Sequence, residues 1–208
     1  TGFRDAFLMK LDGENGGILF SRLLGGEYTD MGYDLALAPN GDVVMVGSTI
    51  SRDFPVVDPI QAELNSYPYE SSDAFITRFT PDGATIVFST FLGGSTDDVA
   101  HDVAIDGQGR IVLSGSTLSS DFPTVNALQP GSGGETEVFV ARLEAAQTGL
   151  EFSTYLGGTE TDRPGGLAVG DDGSVFVSGV SSSADFPTTP GSFQSSFVGA
   201  INGCSIPF

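Results

Sequence analysis

The apolar positions of the chain fall into short segments separated by glycine, proline, asparagine and aspartate. Residues 73–79 (DAFITRF) and 86–92 (IVFSTFL) are typical segments, because they are rich in Phe, Ile and Val. Such segments, bounded by turn residues, predict β-strands. Residues 43–46 (VVMV) are apolar at consecutive positions, which predicts a strand covered on both faces. The pattern therefore predicts an all-β chain.

The same order of segments occurs three times, at spacings of 68 and 64 residues. The stretches 20–55, 88–123 and 152–187 align without a gap, and 13 of the 36 aligned positions are identical in all three. A fixed period of this kind is the signature of a repeat architecture. We therefore predict one repeat domain over 1–208, with units of about 5–72, 73–136 and 137–201 and a tail at 202–208.

Each unit is predicted to contribute four strands. The first strands are 5–11, 73–79 and 137–143; the second are 18–24, 86–92 and 150–156; the third are 33–38, 101–106 and 166–170; the fourth are 42–48, 110–116 and 174–180. The turns between third and fourth strands contain Gly41, Gly109 and Gly173, which can supply the positive φ that a hairpin requires.

Four-stranded antiparallel sheets that stack side by side form a β-propeller, and this is the predicted fold. The strand count gives three blade equivalents, with half a blade at each end. Three blades are too few for a ring of ~4–8, so the chain is either an arc of a larger ring or one subunit of an oligomer. Because an isolated hairpin is only marginally stable, we expect 5–24 to pair with 166–180, and favour pairing between chains or with a continuation of this chain.

The repeated motifs add a family resemblance. DAF at 73–75, FSTYLGG at 152–158, DVAIDGQG at 102–109 and SSDFP at 119–123 resemble the SBBP family of bacterial β-propeller repeats. The resemblance covers nearly all of 5–187. It implies a propeller, a location outside the cell or on its surface, and a binding or scaffolding role, and it implies no catalytic activity.

Net charge and composition argue against several classes of binding partner. The chain carries 27 acidic and 8 basic residues, for a net charge of −19, which disfavours binding to nucleic acid or to anionic membranes. No apolar run is long enough to insert into a membrane. Cys204 is the only cysteine, so the chain can form neither an internal disulfide nor a thiolate metal cluster. No cofactor is predicted.

Repeated aspartates are the candidate metal ligands. Asp30, Asp98 and Asp162 follow the Gly-Gly pair by several residues, and Asp34 and Asp102 lie four residues further on in two of the copies. Carboxylates in loops can bind Ca²⁺. The alternative is that these aspartates cap turns by accepting hydrogen bonds from loop N–H groups. The chain has no EF-hand pattern, so turn capping is the preferred interpretation.

Other repeated positions predict structural roles. Phe54, Phe122 and Phe186 stand in Asp-Phe-Pro tripeptides, and we expect each to fill a gap between sheets. A basic residue in each first strand recurs with an acidic residue at its start, which predicts a salt bridge between sheets or a solvated edge charge; the pairs are Lys10 with Asp5, Arg78 with Asp73, and Arg142 with Glu137. His101 is the only histidine, and no G-x-S-x-G motif accompanies it.

These observations favour an interaction scaffold that binds a protein or a polysaccharide. A structural protein that self-assembles by completing its split blade is the second hypothesis. A glycan-active enzyme, the third, would need paired carboxylates facing one cleft, whereas the acidic residues here recur copy by copy. Residues that do not repeat, chiefly 63–72 and the C-terminal tail, are where a specific site is expected.

Overall fold

The computed structural model describes residues 4–65 and 71–197. Every regular element in these residues is a β-strand. The strands are β1 (Ala6–Leu11), β2 (Ile18–Leu24), β3 (Asp30–Leu37), β4 (Val43–Thr49), β5 (Asp73–Phe79), β6 (Ile86–Leu92), β7 (Asp98–Ile105), β8 (Ile111–Thr117), β9 (Glu137–Leu143), β10 (Leu150–Leu156), β11 (Asp162–Val169) and β12 (Val175–Ser181). The described part of the chain contains no helix that could cross a membrane.

The strands form four antiparallel sheets. Two sheets have four strands, in the orders β3-β4-β5-β6 and β7-β8-β9-β10, and two are hairpins, β1-β2 and β11-β12. Four-stranded antiparallel sheets are therefore confirmed, and they come in the predicted order of two, four, four and two strands. Closure of the sheets into a propeller remains a prediction.

The third strand of each unit begins earlier than predicted. It starts at Asp30, Asp98 and Asp162 rather than at 33, 101 and 166. In β3 the pairing with β4 shifts at a bulge between Gly32 and Asp34 and continues on both sides of it. The bulge and the buried aspartate at the strand start break the apolar pattern, so the pattern placed the boundary too late.

Two kinds of repeated glycine shape each sheet. The turn glycines have positive φ, +86° at Gly41 and similar values in the other two copies, as the hairpin prediction requires. Gly47, in the middle of β4, lies opposite Phe75 on β5. A Cβ at Gly47 would collide with the Met31 carbonyl and would lie 2.7 Å from the Phe75 ring. This glycine therefore makes room for a neighbouring aromatic ring.

Successive sheets pack face to face. One core lies between the β3–β6 and β7–β10 sheets and includes Val44, Ile76 and Leu113. A second lies between the β1–β2 hairpin and the β3–β6 sheet and includes Leu8 and Phe75. Strand β7 contacts both β3 and β11, so the first strands of three consecutive sheets are neighbours. We call β3, β7 and β11 the inner strands.

The phenylalanine after each fourth strand was predicted to be buried between sheets. Phe54 is buried and packs on Phe75 and Phe91, with ring centroids 4.7 and 5.9 Å away. Phe122 is buried in the same way on Phe139, at 4.5 Å. Phe186 is only half-buried, so the prediction is wrong for the third copy. Among the described residues, no strands equivalent to β5 and β6 pack on it.

The two terminal hairpins do not join within the chain. Strands β1 and β12 belong to different sheets, and within residues 4–65 and 71–197 each hairpin keeps an edge without a partner strand. The expected pairing of 5–24 with 166–180 is therefore absent within one molecule, and its formation between chains or with a continuation of the chain stays a prediction.

Candidate functional site

Side chains that differ among the three copies gather on the inner strands. Tyr33 and His101 occupy the same place in their repeats, where the third copy has Gly165. Their ring centroids lie 5.5 Å apart, on β3 and β7 respectively. Asp34 and Asp102 are the next residues along these strands. These four residues, with Ser116 on β8, are the inner-strand cluster.

Hydrogen bonds hold the cluster in place. The Nε2 of His101 lies 3.0 Å from Oγ of Ser116, and Oδ2 of Asp34 accepts a 2.9 Å bond from the N–H of Val103 on the neighbouring sheet. The second bond links the two sheets directly. Both side chains are therefore positioned by rigid strands and not by loops.

The charges in the cluster influence one another. Burial lowers the pKa of His101, and the negative charge of Asp102 opposes this shift. Burial also raises the pKa of Asp102, with a further contribution from the carboxylate of Asp34, while His101 acts in the opposite sense. A neutral imidazole beside carboxylates and a tyrosine ring can accept hydrogen bonds and pack against an apolar face.

The predicted metal ligands at the starts of the inner strands act as turn caps. Asp30 accepts bonds from the N–H of Gly26 (2.8 Å) and the hydroxyl of Ser51 (2.9 Å), and also from Thr49. The other two copies repeat the arrangement, with Asp98 accepting from Gly94 and Ser119, and Asp162 from Gly158 and Ser183, at 2.7–2.8 Å. All three side chains are buried.

Asp34 and Asp102 lie further along the inner strands and belong to the inner-strand cluster. Across residues 4–65 and 71–197, no three His, Cys, Asp or Glu side chains come together as a metal site. Calcium binding at the five aspartates thus stays a prediction, and chelation tests it.

The pKa of Asp98 is strongly perturbed. Burial raises its pKa to about 7, against the opposing effects of the nearby Thr117 hydroxyl and of hydrogen bonds from the N–H of Gly94 and the hydroxyl of Ser119. The nearby charge of Asp73 raises it further. Burial likewise raises the pKa of Asp30, where hydrogen bonds again act in the opposite direction. The carboxyl groups of Asp98 and Asp30 have a structural role, and their burial makes each of them harder to ionise.

Two glutamines form clamps that the sequence analysis missed. Gln61 donates to Asp73 (2.7 Å), while its Oε1 accepts from the N–H of Gly93 (3.0 Å). Gln129 makes the same two bonds, to Glu137 at 2.9 Å and from Gly157 at 3.2 Å. Each clamp ties the start of one strand to the loop after the next. The signal in the sequence was the equal distance of each glutamine from the preceding Asp-Phe-Pro.

The acidic residues at the strand starts therefore bond to the glutamines, and the basic residues of these strands have other partners. Arg78 pairs with Asp42 at 2.8 Å, and Arg142 pairs with Glu151 at 3.1 Å, each within its own sheet. The predicted salt bridge between sheets is wrong. Lys10 is exposed at the surface of the first hairpin, as the alternative of a solvated charge predicts.

Within the non-repeating stretch 63–72, residues 66–70 lie outside the described residues, as does the tail from 198 onward. Comparison of the chain with protein-family models and with curated proteins gave no match. The resemblance to SBBP repeats therefore stays a prediction from the repeated motifs.

Proposed function

We propose that the chain is a non-catalytic β-propeller-type repeat module that acts outside the cytoplasm as an interaction scaffold, with a polysaccharide or a protein as its partner. The observation that carries the proposal is the position of β7 between β3 and β11. This order is the one that a propeller requires of its innermost strands. The location rests on the resemblance of the repeats to SBBP sequences.

The chemistry of the inner-strand cluster supports a ligand rich in hydroxyl groups. An aromatic face can pack against the C–H face of a sugar, and neighbouring carboxylates accept hydrogen bonds from its hydroxyls. The net charge of −19 favours neutral ligands over anionic ones. A neutral polysaccharide fits these conditions, and a neutral protein segment is the other candidate.

Titration of the chain with a panel of neutral oligosaccharides, followed by calorimetry, tests the proposal. We expect saturable binding that Tyr33→Ala and His101→Ala weaken at least tenfold. Tyr28→Ala is the matched control, because Tyr28 is exposed to a similar extent but lies outside the cluster. Absence of binding to any glycan or protein probe, or release of new reducing ends from a bound glycan, contradicts the proposal.

Self-assembly is the second candidate function. It is favoured by the exposed apolar face of the β1–β2 hairpin, which includes Phe7 and Leu23. Monomeric soluble proteins rarely expose a continuous apolar patch of this kind without a partner.

A further inference from the structure

The two terminal hairpins carry apolar residues at the same repeat positions as the complete sheets, but these residues are not covered. By repeat position, Phe7 on β1 corresponds to Phe75, and Leu23 on β2 corresponds to Phe91. Phe75 and Phe91 are 0% and 1% exposed, whereas Phe7 and Leu23 are 64% and 73% exposed. The difference lies in what packs on them and not in the type of residue.

Three elements cover this face in a complete sheet. The fourth-type strand pairs with the first-type strand, so that Gly47 faces Phe75 and Gly115 faces Phe139. The phenylalanine of Asp-Phe-Pro then packs on the ring. The third element is the segment after Asp-Phe-Pro. Its glutamine bonds to the acidic residue at the strand start, and its backbone bonds between Val57 and Ser89 cover the outer strand.

The equivalents of these three elements follow β11 near the other end of the described chain, but there they have no first-type and second-type strands to cover. The atoms nearest to a Cβ at Gly179 on β12 are backbone atoms of Arg163 and Pro164, whereas Gly47 and Gly115 have ring atoms of Phe75 and Phe139 among their nearest neighbours. Phe186 is half-buried beside a cavity of about 210 Å³, which is also lined by Val138, Leu156 and Val177. Gln194, which follows Phe186 at nearly the clamp spacing, is exposed.

Strand β3 shows the same incompleteness on its open side. Leu35 is 50% exposed, whereas the equivalent Val103 on β7 is 7% exposed. A cavity of about 590 Å³ lies beside it, lined by residues that include Phe7, Tyr33 and Met45. Phe176 on β12 is exposed, although the equivalent Val44 is fully buried against the next sheet. A β11–β12 hairpin placed here would cover β3 and bury its own Phe176.

We propose that β12 of one molecule pairs with β1 of a second copy of this chain, which completes a four-stranded sheet in the order β11-β12-β1-β2. This proposal deepens the self-assembly candidate and is independent of glycan binding. The internal register places Gly179 opposite Phe7, and Ser181 opposite Asp5. Phe186 then packs on Phe7 and Leu23.

Polar groups are complementary at the same junction. Asp5 is exposed in the single chain, although its equivalents Asp73 and Glu137 are buried and bonded to glutamine. In the proposed sheet, Gln194 of one copy donates to Asp5 of the other and accepts from the N–H of Gly25. The junction therefore satisfies a carboxylate and an amide, and also buries apolar surface.

We take the partner to be a second copy of the chain because the β11–β12 and β1–β2 hairpins are complementary halves of one sheet. Within the described residues of one molecule, these two hairpins do not pair. The contact is head-to-tail, and such contacts form rings when the rotation closes. The described residues of each chain supply three sheet equivalents, so those of two copies supply six. This number falls within the ~4–8 blades of known rings.

Disulfide cross-linking tests the register. In a Cys204→Ser background, mixing the separate variants Ala6→Cys and Val180→Cys is expected to give a covalent dimer under oxidation. Within one chain, Ser48→Cys with Ala74→Cys is the matched positive control, because Ser48 faces Ala74 in the paired strands. Lys10→Cys mixed with Val180→Cys is the off-register control. Equal cross-linking of both mixtures, or none, overturns the proposal.

Mass in solution provides an independent test. We expect the wild-type chain to sediment at twice its monomer mass, and the exposed-face variants Phe7→Lys and Leu23→Lys to raise the dissociation constant about thirtyfold or more. Leu128→Lys, also at an exposed apolar position, is the control and leaves it unchanged. A monomer at every concentration overturns the proposal. Glycan binding that persists in a monomeric Phe7→Lys variant separates this result from the scaffold function.

Discussion

The backbone N–H of Phe122 donates a 2.9 Å hydrogen bond to the hydroxyl of Tyr155. The same hydroxyl donates to the carbonyl of Ser119 at 2.7 Å. In the preceding sheet the position of Tyr155 is held by Phe91, and there the N–H of Phe54 bonds directly to the Ser51 carbonyl at 3.2 Å. The loop before Phe122 is thus closed through the Tyr155 side chain, whereas the equivalent loop before Phe54 is closed by a direct backbone hydrogen bond.

Tyr155→Phe should lower the free energy of unfolding by about 1 kcal/mol, because a buried hydrogen-bonded hydroxyl is lost while the loop can close as it does around Phe54. Urea denaturation measures the change. Phe91→Tyr is the reciprocal variant, and it should not stabilise the protein, because its loop has no unpaired partner for the new hydroxyl. A gain from Phe91→Tyr equal to the loss from Tyr155→Phe would contradict this account.

The three Asp-Phe-Pro phenylalanines should differ in their contribution to stability. Phe54→Ala and Phe122→Ala each remove a fully packed ring and should cost about 3–5 kcal/mol. Phe186→Ala should cost much less in the monomer, because this ring is only half-buried. Chemical denaturation of monomeric Phe7→Lys protein carrying each substitution gives the comparison. Equal losses at all three positions would show that the third ring is covered within one chain.

The contribution of Asp98 to the free energy of unfolding should fall as the pH rises from about 4 to 7. The pKa of Asp98 is about 7 in the folded protein and near its ordinary value of 3.8 when unfolded. Between these values the unfolded chain has released a proton that the folded chain retains, so a higher pH favours unfolding. Below pH 4 this penalty is absent, and above pH 7 it is complete.

Asp98→Asn tests this dependence, because its amide oxygen can still accept from Gly94 and Ser119. The difference in unfolding free energy between the variant and the wild type should change between pH 4 and pH 7 and level off above. Carbon-13 NMR of the Asp98 carboxyl should show a midpoint near pH 7. Parallel stability curves for the two proteins would rule out Asp98 as the source.

Chelation distinguishes turn capping from calcium binding at the repeated aspartates. Because Asp30, Asp98 and Asp162 accept hydrogen bonds from the loops, EDTA should leave the melting temperature unchanged. Thermal denaturation with EDTA, and again with added Ca²⁺, measures this. A drop of many degrees that Ca²⁺ restores would show that the cation stabilises the folded state.

The sequence predicted most of the strands because their apolar residues repeat in register. Strand β5 was predicted at its observed bounds, Asp73–Phe79. The inner strands were placed too late because each begins with a buried aspartate, which interrupts the apolar pattern. One of the hydrogen-bond partners of Asp30, Ser51, is also distant in the sequence. The burial of Phe186 was overpredicted because the repeated motif specifies the ring but not the strands that pack on it, and the described residues hold no such strands beside Phe186.

The site was harder to predict than the fold. Asp34 and Asp102 were predicted to be metal ligands. In the structure they lie in a cluster with Tyr33 and His101, whose rings are in contact although the two residues look like unrelated substitutions in the aligned repeats. Contact between these rings depends on how two sheets pack, and a one-dimensional repeat carries no information about that packing. The clamp of Gln61 on Asp73 was missed for the same reason, since it joins two loops across a strand.

Each sequence unit contributes two strands to one sheet and two to the next, because the sheets begin at β3 and β7 and the units begin at β1 and β5. The repeat in the sequence and the repeat of the sheets are therefore offset by half a unit. A single excised unit would supply two hairpins that share no sheet, and removing the first or last unit would leave half of a four-stranded sheet with an open edge. Unfolding should consequently spread across sheet boundaries as one transition, without the stepwise loss of independent modules seen when each repeat is its own folding unit.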